Sequence, residues 1–325
     1  MTGPYSAPQP WEQAWAAALY GPAGFYRQSA PAGHFTTSAH GSPGVHFARA
    51  LIALGQREGL ETVVDFGAGR GELLEQLAAQ SDSLHLVGMD VVARPADLSA
   101  RCGWLQSPGG ARVPDLSRYG AALVVANEWL DVVPCPVVEL HTDGSARYVL
   151  VDEVGREELG AVVDGADAEW LSRWWPLSGP PAGVRAEVGR TRDEAYAALV
   201  AASAPGSLVV AIDYGHLHQI EKMSASRPPA GTLVGYRGGA QVPPVPDGSC
   251  DLTAHVAMDS LAADRLIPQR IALRELGIRG ELPAYEQARQ DPAGYLAALA
   301  DASAQAALTG PGLGDFWWAL RRGPT

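Results

Sequence analysis

The chain has 325 residues, of which 47% are hydrophobic and 18% charged, enough to bury a large core. Lys and Arg total 24 against 36 Asp and Glu, a formal charge of −12, and no basic run exceeds Arg321-Arg322, so nucleic acid is disfavoured as a partner. No apolar stretch approaches the ~20 residues that span a bilayer, the start "MTGPYSAPQPWEQAW" does not read as a signal peptide, and a cytoplasmic protein is expected.

Residues 1–45 read as a helix near Trp11 to Leu19 followed by the stretch "GPAGFYRQSAPAGHFTTSAHGSPG", whose three prolines and five glycines suggest a loop or flap. A second helical pattern covers Val45 to Leu54. From Glu61 the pattern becomes α/β: "TVVDF" is a buried strand, "ELLEQLAAQ" a helix with Leu73, Leu74, Leu77 and Ala78 on one face, and "LHLVGMD" a second buried strand. The runs "AALVVANE" and "SLVVAIDYG" have the same form. Strands apolar throughout, with polar residues at their carboxyl ends, suggest a mostly parallel sheet with helices on both faces. Ligands of such sheets bind beyond the carboxyl ends of the strands.

About 70 residues separate those two later strands. They contain "VVELHTDGSARYVLVDE", two alternating runs around an Asp143-Gly144 turn, and then the Trp-rich "EWLSRWWPLSGPPAG", read as an inserted hairpin and cap. The last 70 residues look largely helical, with Asp291 and Pro292 opening one helix and Phe316, Trp317 and Leu320 at the spacing of a docked terminal helix. The expected parts are 1–45 (helix and lid loop), 46–134 (first half of the Rossmann-like core), 135–205 (hairpin and cap), 206–280 (remaining core sheet and substrate-side loops) and 281–325 (C-terminal helices).

Three scattered cysteines, Cys102, Cys135 and Cys250, and eight histidines without ligand spacing predict neither a zinc site nor a disulfide framework. The glycines of "VVDFGAGRGELLEQL" are Gly67, Gly69 and Gly71. A dinucleotide loop would want glycine where Glu72 stands, and no Gly-Lys-Ser/Thr follows, so neither NAD nor a P-loop nucleotide fits well. Asp65, just before the glycines, would oppose a pyrophosphate but favour a cationic ligand. S-adenosylmethionine (SAM) carries an ammonium and a sulfonium and ends in a ribose whose two hydroxyls suit Asp90, 21 residues after Gly69. The acid-glycine-acid order therefore points to SAM, with Asp65, Gly67, Ala68, Gly69, Gly71 and Asp90 as its contacts.

The blocks "GFYRQSAPAGHFTTSAH", "VVDFGAGRGELLEQL", "VVANEWLDVVP", "VVAIDYG" and "GTLVGYRGG...DLTAHV" together resemble the MidA-like SAM-dependent methyltransferases, a family that includes a mitochondrial complex I assembly factor methylating an arginine. The resemblance implies a class I methyltransferase fold with an N-terminal lid and an inserted cap, SAM as cofactor, and a protein substrate in the mitochondrial members. Around His34 and His40 the chain departs from the family's usual "GDFxTAPEIS", and the segment after "DLTAHV" looks short, as if a late strand were abbreviated.

Asn127, Glu128 and Asp131 end the strand "AALVVANE". Carboxylates there can orient a guanidinium by bidentate hydrogen bonds, so Glu128 and Asp131 are candidates to clamp a cationic acceptor, while Asn127 and Glu128 can also hold the amino-acid end of SAM. Helix capping and plain solvation are the alternatives for these two acids. Tyr214 is read as substrate wall or core, and His255 as a general base or a filler of a polar slot. His34, Phe35 and Thr37 are expected on a loop that closes over the cofactor. Three functions stay open: protein methylation with arginine favoured, small-molecule O- or N-methylation, and a non-catalytic SAM-binding assembly factor. No metal is expected.

Overall fold

The computed structural model describes residues 7–28, 37–175, 181–218 and 228–324. Its centre is a seven-stranded sheet with the order Arg265–Pro268, Trp317–Arg322, Leu208–Asp213, Ala122–Asn127, Thr62–Phe66, His85–Asp90, Cys102–Gln106. The last five are mutually parallel, and Trp317–Arg322 runs antiparallel to both its neighbours.

Alternation along each strand feeds two cores. Leu123, Val125, Val210 and Ile212 face helices Gly41–Glu58 and Glu72–Gln80 through Phe47, Leu51, Leu74 and Leu77. Val124, Ala126, Val209 and Ala211 face helix Arg190–Ala202 through Tyr196 and Leu199. Each fully buried leucine contributes roughly 1.5–3 kcal/mol, so the sheet is a rigid platform for whatever its strand ends carry. Chain order reverses on the two sides of Thr62–Phe66, and the crevice between its end and that of Ala122–Asn127 is where such a sheet binds ligands.

The Asp143-Gly144 turn joins strands Val137–Leu140 and Ala146–Val151, with Gly144 at φ 83°. They belong to a second, antiparallel sheet that also takes Glu157–Val162, Arg185–Glu187 and the N-terminal Gln9–Pro10. Helix Trp11–Tyr20 buries Trp11, Trp15 and Leu19 along one face. Its Trp15 indole donates to the Leu252 carbonyl at 3.0 Å. The Trp-rich segment forms helix Gly165–Trp174, and Trp170 and Trp175 are core residues.

Three expectations are corrected. "FWWALRR" is not a helix: Trp317–Arg322 is a strand whose first four residues, Trp317 to Leu320, pack on both faces of the sheet, and a four-residue apolar run covered on both sides carries no period that separates strand from helix. The C-terminal part is therefore not only helical, and the two late strands, Arg265–Pro268 and Trp317–Arg322, are separated by about 50 residues of chain that hold Gln269–Glu275, Tyr285–Gln290 and Pro292–Thr309. Helix Gly41–Glu58 also runs through the expected boundary at 45, its first turn accommodating Gly41, Pro43 and Gly44. Among the described residues no helix is long and apolar enough to cross a membrane.

Candidate active site

The loop after Thr62–Phe66 makes a tight turn into helix Glu72–Gln80. Gly67, Gly69 and Gly71 all have positive φ (80°, 57°, 84°), and the Gly67 and Ala68 N–H groups donate to the Met89 carbonyl, tying the loop to the next strand. A Cβ on Gly71 would stand 2.6 Å from Leu98 Cδ1 in a backbone conformation that side chains disfavour. Gly71→Ala is thus expected to lose about 1–3 kcal/mol in urea unfolding.

Beside this loop lies a cavity of about 350 Å³. Asp65, Gly67, Ala68, Gly69, Asp90, Asn127, Glu128 and Thr37 all contribute to its wall. Asp90 Oδ2 accepts from the Gly69 N–H at 2.8 Å and Oδ1 from Val92 at 3.2 Å, leaving a lone pair on each oxygen for a ligand. Burial pushes its carboxyl up to about 6, and those amide donors hold it from rising further. Asp65 is 3% exposed; burial, with the charges of Asp90 and Glu72, pushes it up to about 8. The cavity floor thus carries two carboxyls with raised proton affinity, and no cation is paired to either aspartate among the described residues.

Glu128 has φ 53°, alone among the described non-glycine residues in adopting a positive value. This bend turns the chain out of the strand at the cavity wall. Asn127 Nδ2 donates to its Oε1 at 3.0 Å. Burial first, then the charge of Asp131, pushes Glu128 up to about 8. Asn127 Oδ1 is buried without a hydrogen-bond partner among the described residues, an acceptor left open on the same wall.

Asp131 does not line the cavity. Its Oδ2 accepts from Tyr214 Oη at 2.7 Å and Thr253 Oγ1 at 2.6 Å. The expected two-carboxylate clamp is therefore reduced to Glu128, because local backbone geometry points the two acids to different sides of the turn. Tyr214 is likewise not a cavity wall: its hydroxyl is committed to Asp131, and its ring packs between His255 (5.3 Å) and Phe316 (5.4 Å). His255 is exposed at the edge of that ring, away from the cavity, so a base role there is not supported by position. His34 and Phe35 lie outside the described residues.

A layer behind the wall holds the turn in shape. Asp213 Oδ2 accepts from the Leu130 and Asp131 N–H groups (2.9 and 3.1 Å) and Oδ1 from Tyr214 N–H, which explains why the "IDYG" block ends where it does. Arg192, 1% exposed, spreads its guanidinium over the carbonyls of Asp131, Val133, Ala254 and His255 at 2.8–3.1 Å and lies over the Trp15 ring. Asp251 accepts from Tyr26 Oη at 2.7 Å, and Tyr26 and Tyr20, whose rings meet at 5.6 Å, both line the cavity. The "DLTAHV" block thus works as support: Asp251 holds Tyr26, Leu252 holds Trp15 and Thr253 holds Asp131.

Sequence reasoning missed Tyr20, Tyr26, Trp129, Asp251 and Arg192. Tyr26, Trp129 and Asp251 lay inside quoted blocks, while Arg192 in "GRTRDEAY" looks like a solvated helix residue and gives no signal.

The family model described as "Putative S-adenosyl-L-methionine-dependent methyltransferase" matches residues 44–266, more than half the chain. The chain belongs to this family. It is a SAM-dependent methyltransferase, and SAM is its cofactor. The methyltransferase is similar in fold to a COG1565 superfamily member from Burkholderia thailandensis bound to S-adenosyl-homocysteine. That likeness has 24% identity and a TM-score of 0.71, and it covers 96% of this chain and 87% of that one. A native crystal structure of a COG1565 superfamily protein from the same organism gives 25% identity and 0.70, over 97% and 87%. No curated protein matches the sequence.

The residues of the methyltransferase fit that cofactor. Two elevated carboxyls without a cation, an open amide oxygen and a glycine loop at positive φ offer acceptors and backbone room to a cationic ligand with a diol. Among the described residues no group of three or more His, Cys, Asp or Glu is arranged to hold a metal.

Proposed function

We propose that the enzyme is a class I methyltransferase that moves a methyl group from SAM to the nitrogen of a cationic protein side chain, arginine first. The observation that carries this reading is Glu128, bent by its positive φ onto the wall of the same cavity as Asp65 and Asp90. The strand order, with one antiparallel strand next to last in space, agrees with the class I assignment, and the resemblance drawn from the sequence blocks favours arginine.

Asp65 and the Gly67–Gly71 loop would hold the methionine portion, with Asn127 Oδ1 accepting from its ammonium, and Asp90 would hold the ribose hydroxyls. When bound, SAM supplies an electrophilic methyl group on a sulfonium. Methyl transfer is a displacement in which alignment provides most of the gain. Glu128, once ionised, accepts hydrogen bonds from the acceptor, fixes its orientation and localises its positive charge on the nitrogens that do not attack. Its elevated carboxyl also places it to take up the proton the acceptor loses.

Glu128→Gln is expected to lower methyl transfer about 100-fold or more and to leave SAM affinity within about a factor of three. The assay is incubation with methyl-labelled SAM and cell lysate, followed by separation of macromolecules from small molecules. Label recovered as methylarginine after hydrolysis of the protein fraction supports the reading. Label in small molecules would replace it with a metabolite methyltransferase, and SAM binding with no label in either fraction would favour an assembly factor.

A further inference from the structure

Outside the cofactor cavity lies a surface groove of about 720 Å³ between helices Trp11–Tyr20 and Arg190–Ala202. The first helix contributes Glu12, Ala16, Ala17 and Tyr20 to its lining and the second Glu194, Ala195 and Ala198, each set at the spacing of one helix face. Alanines on both sides keep the trench open, and Ala17 and Ala198 are exposed along it. Where the first helix ends, the groove meets Tyr20, Gly109 and Gly110, which also wall the cofactor cavity. The Tyr20 hydroxyl donates to the Val132 carbonyl at 3.0 Å, and its ring lies so close to Gly109 that a Cβ there would stand 2.6 Å from Tyr20 Cδ1. One fixed aromatic ring is therefore a wall common to groove and cavity.

Glu12 stands eight residues back along the same helix. Its side chain is half-buried, and among the described residues it makes no hydrogen bond and no ion pair. The charges that bear on it are Arg190, Asp167 and Glu194, and Arg190 is already bonded to both of those acids at 2.6 Å. A carboxylate drawn partly out of water without a partner is unfavourable until a cation meets it. Arg112, the other charged residue on the lining, follows Gly110 by two positions and so belongs to the Tyr20 end.

We propose that this groove docks a basic segment of the protein that is methylated, with Glu12 receiving a Lys or Arg near the acceptor residue. The proposal rests on the reading of the acceptor as a cationic protein side chain. Eight helical residues put Glu12 about 12 Å from Tyr20, a span that an extended chain covers in about four residues. A basic residue that far from the acceptor is matched by Glu12, while one directly beside it meets Arg112 and is disfavoured. A long side chain is what can cross a wall one ring thick, which suits arginine better than a short acceptor.

A first-turn acid also favours the helix dipole, so stability alone would not separate the two roles of Glu12, and the test reads binding. The probe is a short fluorescent peptide with one arginine and one lysine about four residues apart, added to the full chain saturated with S-adenosyl-homocysteine and followed by anisotropy. Glu12→Gln is expected to weaken its binding roughly five-fold, and Ala198→Trp, which fills the trench from an exposed position, at least about ten-fold. Neither should change SAM affinity by calorimetry. Glutamate in place of the lysine should weaken binding to the parent and matter little to Glu12→Gln. Should Ala198→Trp fail to fold, Glu12→Gln with the two peptides decides alone. No binding by the parent, or equal binding by parent and Glu12→Gln, overturns the proposal. Labelling of lysate proteins that Ala198→Trp leaves intact would keep the arginine reading and remove the groove. Charge-selective peptide binding lost in Glu12→Gln, with the peptide never methylated, would keep the groove and remove the arginine reading.

Discussion

Replacing Arg192 with alanine is expected to remove about 3–5 kcal/mol of stability, read as the urea midpoint of the full chain, with the slope unchanged. The guanidinium is the common partner of four carbonyls drawn from two segments, 131–133 and 254–255. Its removal leaves acceptors buried and unpaired, and it also withdraws the one cation that lowers both Asp131 and Asp213. Arg192→Lys is expected to recover little of the loss, because a single ammonium cannot reproduce a planar fork aimed at four oxygens. A loss below about 1 kcal/mol, the range of exposed charges, would show that the four bonds are not jointly made.

Asp65→Asn is expected to have effects of opposite sign on stability and on cofactor binding. In the ligand-free protein Asp65 is pushed up to about 8 by burial, while an unfolded chain gives about 3.9. The folded state therefore holds the proton more tightly. This group's penalty is absent below about pH 4, grows as pH rises through the window from about 4 to about 8, and is complete above it. Melting of the ligand-free enzyme should fall across that window, and the asparagine variant should flatten the fall. SAM binding runs the other way: its cation rewards the ionised carboxylate, so affinity should strengthen up to about pH 8 and then level off. Asp65→Asn should forfeit about 1.5–3 kcal/mol of it, roughly 10- to 150-fold in Kd by calorimetry at pH 8.5. An asparagine variant that binds SAM as tightly as the parent would refute the assigned charge pairing.

The parts of this architecture that can be read in the sequence are those set by local chemistry. The glycine loop, the two acids at adjacent strand ends and the turn at Asp143-Gly144 each follow from short-range rules, and all appear where the pattern put them. What stayed hidden depends on which surface a residue meets. Trp317–Arg322 carries no distinguishing period because its apolar half, Trp317 to Leu320, is covered on both faces. Asp131 and Glu128 are three positions apart and look equivalent, yet a single positive φ sends one to the cavity and the other to Tyr214 and Thr253. Arg192 acts through carbonyls 59 to 63 positions away in sequence, and no local pattern announces such contacts.

The placement of Trp317–Arg322 between Leu208–Asp213 and Arg265–Pro268 also shapes how the molecule is made. As the polypeptide leaves the ribosome, the five parallel strands can assemble while the hydrogen-bonding edge of Leu208–Asp213 is still bare, and Leu208 waits for Arg322 to be synthesised. Until then that edge is a template for another nascent chain. The sheet is completed by one of its latest segments, so the slow, error-prone interval of biogenesis is the wait for that strand, and the aggregation risk of the nascent chain is concentrated there.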